Sequence, residues 1–321
     1  WTLRSEVEGA THARVFEHRG SLYLLGARCY RKSRFRHLPR WLKRTLLRVG
    51  FRDYPPNRLL IRRSGDGGRS WTEPVDGSSG VVHVGSGSGA ATPPVYHLGR
   101  LWVVAGSLWS IPEEVDLLNA GNWKRYVTPR FQQEWLGGKA EGYFEGGAVI
   151  TPDGKPAIIS KVRYFVPGDD RAALITFDPN RRRGQFDPEK DFIHMPGARL
   201  KFSVRYDPVS GKYWSLTCYL PEEDYGPRTD LRRNTVALVS SPDLRRWNIR
   251  CILLHHPDTE KHGTQYLDFV FDGDDLLAVC RTAWPDGLGG PKRQHDANYL
   301  TFHRWPNFRS LTLEDSAPAA K

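Results

Sequence analysis

One unit of sequence occurs five times along the chain: an apolar or alternating run, a turn that carries glycine, and a second apolar run. The copies span 11–30, 90–109, 144–164, 200–220 and 264–284, and their turn glycines are Gly20, Gly99, Gly154, Gly211 and Gly273. Two strand-like runs on either side of a glycine turn indicate a β-hairpin. The repeat therefore predicts an all-β chain built from at least five small antiparallel sheets.

A further strand-like run follows each hairpin and usually ends in a corner closed by an aromatic residue. In the first unit the corner reads SGDGGRSW and ends at Trp71, and in the fourth it reads SPDLRRW and ends at Trp247. The second unit closes at Trp123 and the fifth at Phe308, while the third, AALITF followed by FDPEKDF, is the weakest copy. Because glycine, serine and aspartate favour tight turns, each corner predicts a connection between strands of one sheet.

Small antiparallel sheets cannot bury both faces alone, but they can when they are arranged radially around an axis. We therefore predict a single β-propeller domain over residues 1–321, with four-stranded antiparallel blades. Five blades fit the repeat, six would fit if one unit is degenerate, and a sandwich is the alternative architecture. The first residues, WTLRSEV, resemble the segments that begin at Trp71 and Trp247, so we expect them to supply an outer strand that closes the ring.

Positive charge is concentrated in one stretch. The net charge is +11, and residues 28–48 carry nine lysines and arginines and no acidic residue. An acidic oligosaccharide or polysaccharide is the partner we expect, whereas nucleic acid is not expected, because the basic residues lack any known fold for it. Within an insertion at about 31–56, the segment 37–51 has helical periodicity. Three roles fit this helix: packing with its cationic face in solvent, a lid that attracts acidic glycan, or contact with a membrane surface.

The cysteines and the ends of the chain give weaker indications. Cys29, Cys218, Cys251 and Cys280 show no CxxC spacing, and three of them end strand-like runs, which favours small buried residues over disulfides or metal ligands. No apolar run approaches the roughly 20 residues of a membrane-spanning helix. The chain begins with Trp rather than Met, so we expect a processed start and favour a secreted or periplasmic location. We expect no cofactor, and the sequence leaves a structural Ca²⁺ open.

Repeat position alone nominates candidate site residues, because the first strand of each blade and the end of the second line the funnel of a propeller. The first-strand positions are His12, Arg14, Thr92, Glu145, Lys201, Gln265, Tyr266 and Asp268. The second-strand ends are Arg28, Ser107, Tyr219 and Arg281, with Lys161 and Arg163 flanking the equivalent position of the third unit. Several guanidinium groups that converge on one funnel would form a carboxylate receptor, since each can bind both oxygens.

The C-terminal part of the chain is the densest in polar residues. The segments KHGTQYLDF, CRTAW and QHDANYLTFHR add His262, His295, Asp296, Asn298 and Tyr299 to the candidates above. The pair His255-His256 lacks further ligands at metal spacing, so we do not expect a zinc site.

Two motifs resemble the sialidase superfamily. Ser64, Asp66, Gly68 and Trp71 of the first corner resemble its Asp-box, and SPDLRRW is similar to a shorter variant. The stretch FEGGAVITPDGKPAIISKVRY is similar to the sialidase segment in which a glutamate opens a strand, a DG turn follows and a cation ends the return strand. Glu145, Asp153-Gly154 and Lys161 or Arg163 occupy those places. In place of the FRIP motif of that family the chain has THARVF, in which Arg14 is the stand-in arginine.

The resemblance implies a propeller glycosidase in which Glu145 polarises a tyrosine nucleophile, Tyr299, and Arg281 belongs to an arginine triad that holds the carboxylate of the sugar. Glycoside hydrolysis requires two carboxyl or equivalent groups across the scissile bond. Glu145 and Asp268 are the carboxylates expected to point inward, and Tyr299 or Tyr266 would replace one of them, because a tyrosinate avoids repulsion between two carboxylates.

We therefore predict a glycoside hydrolase that removes a terminal acidic sugar, of the sialic or uronic acid type, from a glycan. The predicted catalytic residues are Glu145, Asp268, Tyr299 and His12. The predicted substrate-binding residues are Arg14, Arg28, Lys161, Arg163, Gln265, Tyr266, Arg281 and His295. One alternative is a uronate lyase that uses His12, Tyr266 and His295 as acid and base, with Arg28 or Arg281 neutralising the uronate. The other is a glycan-binding propeller without catalysis.

Overall fold

The computed structural model describes residues 2–28, 37–49, 57–85, 92–226 and 232–318. The chain forms two compact units, Trp1–Arg125 and Tyr126–Lys321. In both units the strands of each sheet follow one another in chain order, as expected when consecutive hairpins build a sheet. The prediction of one domain over the whole chain stays a prediction.

The first unit contains two four-stranded sheets in its described residues. One sheet comprises β1 (Thr11–His18), β2 (Ser21–Arg28), β3 (Arg58–Ser64) and β4 (Val81–Val84). The other comprises β5 (Val95–His97), β6 (Arg100–Val104), β7 (Leu108–Pro112) and β8 (Lys124–Tyr126), whose last residue begins the second unit. A shared core forms between the two sheets, where Leu25, Ile61, Leu101 and Ile111 are completely buried.

The second unit contains three sheets. The first comprises β9 (Ala140–Ile150), β10 (Pro156–Tyr164), β11 (Arg171–Thr176) and β12 (Phe192–His194). The next comprises β13 (Ser203–Asp207), β14 (Lys212–Cys218), β15 (Thr235–Ser241) and β16 (Asn248–His255). The last comprises β17 (Gly263–Asp272), β18 (Asp275–Ala283) and β19 (Tyr299–Trp305). Short 3₁₀ helices span Ala120–Asn122, Trp135–Gly138, Glu222–Asp224, Phe308–Ser310 and Leu313–Asp315.

The middle sheet of the second unit is buried on both faces. Every residue of β15 is buried, so its sequence TVALVSS shows no alternation between apolar and polar side chains. One core joins this sheet to β9–β12 through Ile159, Ala237 and Val239, and a second core joins it to β17–β19 through Leu238 and Phe269. Successive sheets therefore pack face to face, as blades do.

The predicted fold class, an all-β chain of antiparallel blades forming a five-bladed β-propeller, is confirmed. All five predicted turn glycines have positive φ, between +60° and +77°. At Gly20 an added Cβ would meet nothing within 4 Å, so the backbone conformation, rather than lack of space, requires glycine there. The repeat in the sequence thus marks the turns of the blades directly.

One expectation about the N-terminus is wrong for the described residues. Residues 2–10 contain no strand, so they do not supply the expected outer strand. Ser5 instead accepts a hydrogen bond from Trp71 Nε1 at 3.1 Å and donates one to the Gly68 carbonyl at 2.5 Å. The Ser5 hydroxyl therefore ties the segment to the corner of the first sheet.

The corner residues that resemble an Asp-box form a dense hydrogen-bond network. Ser64 Oγ donates to Asp66 Oδ1 at 2.7 Å and accepts from Gly68 N at 2.8 Å. The Ser70 hydroxyl and backbone, followed by Ser64, hold the pKa of Asp66 well below its usual range. The corner after β15 repeats the pattern with Asp243, which accepts from two backbone N–H groups; although burial raises its pKa, these bonds lower it to about 2. Both carboxylates therefore tie a turn together.

A helix is present in the basic segment, as predicted. α1 (Arg40–Arg48) is the only α-helix of the described residues. Trp41 is 68% exposed and Val49 is 65% exposed, so most of the surface of these two apolar residues faces solvent. None of the helices in the described residues is long and apolar enough to cross a membrane.

The predicted state of the cysteines is confirmed where the structure describes it. Cys218, Cys251 and Cys280 are buried and free. Cys29 lies outside the described residues.

Candidate functional site

The first strands β1, β9 and β17 each contain a β-bulge at an equivalent place. In each bulge the first strand has one residue more than the stretch of the partner strand that it pairs with. The paired stretches are Thr11–Arg14 with Leu25–Ala27 in β1, Tyr143–Gly146 with Ser160–Val162 in β9, and Gln265–Asp268 with Val279–Arg281 in β17. The residues inside the bulges are His12–Ala13, Phe144–Glu145 and Tyr266–Leu267. Bulges re-aim side chains and are frequent next to active sites.

Local sequence explains how the bulges form. Tyr266 and His12 have φ of +54° and +47°, a region that costs a residue other than glycine about 1–2 kcal/mol and therefore needs support from its surroundings. Small neighbours provide the space. A Cβ on Gly146 would lie 2.9 Å from Ile158 Cγ2, and a Cβ on Gly26 would lie 2.7 Å from the Cβ of Ala13. The glycines of FEGG and LLGAR let the bulged strands approach their partners.

In the second unit, the β17 bulge places Tyr266 among charged side chains. The ammonium group of Lys201 lies 5.3 Å from the centre of the Tyr266 ring, and the guanidinium carbon of Arg281 lies 5.2 Å from it. Both are cation–π distances. The β9 bulge contributes Glu145, whose Oε2 accepts a hydrogen bond from Lys161 Nζ at 3.3 Å. One tyrosine, one carboxylate and several cations thus occupy the same place.

The charges act on the Tyr266 phenol in opposite directions. Burial raises the pKa of Tyr266, and Glu145 raises it further through its charge and a hydrogen bond. Arg233 and Arg281 lower the same pKa through their positive charge. The phenol is therefore protonated at neutral pH, and its hydroxyl interacts with a carboxylate that can accept the proton.

The neighbouring Cys218 thiol, at the end of β14, reports the same concentration of positive charge. Burial raises its pKa, while Arg233, Arg199, Lys161 and Lys201 lower it. Lys201 and Arg233 are themselves only 7% and 8% exposed. The cations that surround this thiol give the place a positive potential, which favours the approach of an anion.

We call this group the Tyr266 cluster; it comprises Glu145, Lys161, Lys201, Arg233, Tyr266 and Arg281. Four of its members are cations, one is a carboxylate and one is a neutral phenol. Such a group can bind an anion, because lysine and arginine donate charge-assisted hydrogen bonds to carboxylate oxygens. It can also transfer a proton between Tyr266 and Glu145.

Two predicted residues of the second unit make other contacts. Asp268 Oδ1 lies 3.2 Å from Arg205 Nη2 and accepts from the Phe269 backbone N–H, rather than joining Glu145 as a second carboxylate. Arg163 pairs with Glu141 at 3.0 Å on the exposed surface. Lys161, rather than Arg163, is therefore the β10 cation that contacts Glu145.

The remaining candidates of the second unit lie beside the cluster. Gln265 is buried and donates to the His295 carbonyl at 2.7 Å, which ties the QHDAN segment to β17. The His295 ring lies 3.2 Å from Asp296 Oδ1, so the two side chains satisfy each other. Tyr299 is 44% exposed and lines a separate cavity. The tyrosine that interacts with Glu145 is Tyr266.

The first unit contains three of the residues predicted to be catalytic or to bind substrate. His12 is exposed in the β1 bulge. Arg14 is 5% exposed, and its Nη1 donates to the Val104 carbonyl at 2.7 Å, so it bridges the two sheets of its own unit. Arg28 is the last residue of β2, and its side chain lies outside the described part of the chain.

Sequence reasoning missed Arg233. It lies between strands, in the segment that leads into β15, where no repeat position nominates a residue. The only indication was the basic run LRRN before an apolar strand, and many surface loops contain such runs. Among the described residues, no group of three His, Cys, Asp or Glu side chains is arranged to hold a metal ion.

No protein-family model and no curated protein matches the chain. Solved structures resemble it at low identity. A Dyadobacter fermentans protein of unknown function is 15% identical with a TM-score of 0.48, over 88% of this chain and 73% of that one. A family 43 arabinoxylan arabinofuranohydrolase from Bacillus subtilis is 13% identical with a TM-score of 0.46, over 92% of this chain and 63% of that one, so less than two thirds of its length is spanned. The α-L-arabinofuranosidase of Podospora anserina is 11% identical with a TM-score of 0.46, over 93% and 92%.

Proposed function

We propose that this protein is a glycoside hydrolase that removes a terminal acidic sugar, of the sialic or uronic acid type, from a glycan. The observation that carries the proposal is the environment of Tyr266. Its hydroxyl interacts with Glu145, and Lys201 and Arg281 lie within 5.3 Å of its ring. A tyrosine with a carboxylate partner inside a cationic site suits a nucleophile that must approach an anionic sugar.

In the proposed reaction, the Tyr266 oxygen attacks the anomeric carbon and the glycosidic C–O bond breaks. Glu145 accepts the phenol proton, and the departing oxygen takes a proton from water. The hydroxide left by that water then attacks the anomeric carbon, the bond to the Tyr266 oxygen breaks, and Glu145 returns its proton to that oxygen. A phenol that Glu145 deprotonates during the attack suits this site better than a carboxylate nucleophile, because a permanent negative charge would repel the carboxylate of the substrate.

The cations have a separate role in this proposal. Arg281 is exposed, so its guanidinium group can bind both oxygens of an incoming carboxylate. Lys201 and Arg233 are mostly buried and add positive charge to the same place. Lys161 forms the ion pair with Glu145 and holds that carboxylate toward the phenol.

A uronate lyase is the second candidate, and one observation favours it. Because burial raises the pKa of Tyr266, the phenol stays protonated and can act as a general acid toward a departing sugar oxygen. A lyase breaks the C–O bond by elimination and leaves an unsaturated product that absorbs in the near ultraviolet. A hydrolase leaves a saturated sugar and consumes one water for each bond.

The test is turnover on a panel of sialylated and uronate-capped oligosaccharides. We expect release of the terminal acidic sugar, detected by anion-exchange chromatography, with no new ultraviolet absorbance. Tyr266→Phe should abolish release, while Arg181→Ala, which removes an exposed arginine elsewhere in the second unit, should not. Release that survives Tyr266→Phe would refute the proposed nucleophile. Binding of the panel without any product would favour a glycan-binding propeller.

A further inference from the structure

A cavity of about 430 Å³ lies in the second unit, separate from the Tyr266 cluster, and none of the functions above uses it. Its most prominent lining residues are His255, His256, His262, Trp284, Tyr299 and His303. The volume is in the range of pockets that hold one small molecule, roughly 300–1,000 Å³. Four imidazoles, an indole and a phenol in one cavity make an aromatic wall with polar edges.

The aromatic wall is held in a fixed arrangement. The rings of His256 and His262 stack with centres 3.5 Å apart and planes 11° apart. Trp284 stands nearly perpendicular to both, at 5.0 Å and 4.6 Å from their centres, so it lies beside the stack rather than on top of it. Trp284 is 43% exposed. The stack therefore orients an indole that still has free surface for a ligand.

Hydrogen bonds orient the two stacked imidazoles as well. The Asp258 backbone N–H donates to His256 Nδ1 at 3.0 Å, so a neutral His256 carries its proton on Nε2. His262 Nδ1 lies 2.8 Å from Asp258 Oδ2, which makes Nδ1 the donor. His255 Nε2 is buried and lies 3.5 Å from the Asp224 carboxylate, so a ligand in the cavity would not reach it. His256 and His262 both use Nδ1 for these contacts, which leaves their Nε2 atoms for a ligand.

The cavity is neutral, in contrast to the Tyr266 cluster. Its lining, within the described residues, contains no lysine, arginine, aspartate or glutamate. Burial lowers the pKa of His256, and the charge of His262 lowers it further; burial also lowers the pKa of His303. Both imidazoles are therefore uncharged at neutral pH. An anionic ligand would gain little here, whereas an uncharged ring with an apolar face and hydroxyl edges would fit the wall.

The cavity also adjoins the Tyr266 cluster along two strands. Thr264 lines the cavity, and Tyr266 follows two residues later on β17, about 7 Å along a strand. Thr282 lines the cavity, and Arg281 precedes it on β18. A ligand that spans both places would have one anionic and one neutral part.

We propose that this cavity is a second sugar subsite, which binds a neutral pyranose ring through Trp284 and the imidazole edges. Together with the proposed function, on which this part rests, the subsite takes the neutral ring linked to the terminal acidic sugar. The apolar C–H face of the sugar packs on the exposed indole. The hydroxyl groups of the sugar form hydrogen bonds with the Nε2 atoms of His256 and His262.

The test uses neutral disaccharides alone, so it does not depend on catalysis. Lactose, cellobiose and xylobiose are titrated while the indole N–H resonance of Trp284, assigned by its loss in Trp284→Phe, is followed by NMR. We expect at least one sugar to shift this resonance saturably at millimolar concentration in the unmodified protein. Affinity, measured in every variant by isothermal titration calorimetry, should fall at least tenfold in Trp284→Ala. Trp41→Ala, which removes another exposed indole in the first unit, serves as the matched control and should bind normally.

Two further measurements separate this proposal from the proposed function. Tyr266→Phe should bind the neutral sugar as the unmodified protein does, because the phenol does not line the cavity. Thermal unfolding of Trp284→Ala should match that of Trp41→Ala, which excludes loss of the fold as the cause. If none of the three sugars binds, or if Trp284→Ala binds as tightly as the unmodified protein, the subsite does not exist, whatever the outcome of the Tyr266 experiments.

Discussion

The bulges of β1 and β17 have the same backbone geometry and different contents. Each contains one extra residue relative to its partner strand, and each holds one of its residues at positive φ. In β17 the residue is Tyr266, which contacts a carboxylate and two cations; in β1 it is His12, which is exposed. The fold therefore repeats a position, and the side chains packed around that position decide whether it can perform chemistry.

The β9 bulge and the β17 bulge each supply one side chain of a contacting pair. Glu145 is useful only because β17 supplies a phenol that its carboxylate can interact with. Lys161, on the partner strand of β9, completes the arrangement through its ion pair at 3.3 Å. Two bulges in different sheets of the second unit thus bring a carboxylate and a phenol into contact, whereas the β1 bulge presents its His12 side chain to solvent.

The largest expected effect tests the contrast between β17 and β1. Tyr266→Phe removes one oxygen and should lower kcat by at least about 10³-fold, because loss of a nucleophile removes the reaction path. His12→Gln should lower kcat far less. Steady-state kinetics on the best substrate of the panel measures both. Equal losses in the two variants would break the contrast and favour a lyase in which both residues transfer protons.

Glu145→Gln should give the next largest effect. The amide keeps the shape of the side chain but cannot accept the phenol proton, so kcat should fall by about 10²–10⁴-fold, the usual worth of general base catalysis. KM should change little. Asp268→Asn is the matched control, since Asp268 pairs with Arg205 instead. A larger loss in Asp268→Asn than in Glu145→Gln would mean that the catalytic carboxylate has been misassigned.

Arg281→Ala should act mainly on binding. One charge-assisted hydrogen bond contributes about 1.5–3 kcal/mol, so KM for an acidic substrate should rise by about 10–100-fold. KM of this variant should also depend less strongly on salt concentration. Arg181→Ala, which removes an exposed arginine of the same unit, controls for net charge. If both variants change KM alike, the positive field of the whole chain, rather than the Tyr266 cluster, attracts the substrate.

The smallest expected effect concerns the neutral cavity and its pH dependence. Burial holds the pKa of His256 below 6.5, so the unfolded chain binds a proton more readily than the folded one. Stability contributed by His256 is therefore complete above pH 6.5 and decreases as the pH falls from 6.5 toward the folded pKa.

His256→Asn keeps an acceptor for the Asp258 N–H and cannot be protonated. Urea unfolding at pH 5.5 and pH 7.5 should therefore show a smaller difference in the free energy of unfolding for this variant than for the unmodified protein. His97→Asn, which alters an imidazole of the first unit, is the control. An unchanged difference in His256→Asn would show that the imidazole is not held neutral by burial.

Much of the fold could be predicted from the sequence, because it depends on local patterns. The turn glycines, the apolar runs between them and the corners SGDGGRSW and SPDLRRW each specify a conformation within a few residues. The buried cysteines follow from the same patterns. The outer strand predicted for WTLRSEV is absent from its described residues, 2–7. Similarity to other strand segments does not show whether a sheet edge is available; Ser5 bonds Trp71 and Gly68 instead.

The candidate site was only partly predictable for a physical reason. The repeat in the sequence indicated that Glu145, Lys161, Tyr266 and Arg281 lie near the start of a first strand or the end of a second strand. Such a position can be found by counting residues from the turn glycine. Which of them meet depends on bulges, since one extra residue moves a side chain to the other face of the strand. Counting cannot detect such an insertion, and Arg233 lies on no strand at all.

By itself, the sequence determined five hairpins, their glycine turns and a chain with excess positive charge, because turn conformation and net charge are properties of residues that are close in sequence or simply summed. Only the tertiary structure decided that Tyr266, rather than Tyr299, interacts with Glu145, and that Trp284 stands beside a stack of two histidines. Those contacts join residues more than a hundred positions apart or in separate loops, and packing of the sheets, not local preference, selects them.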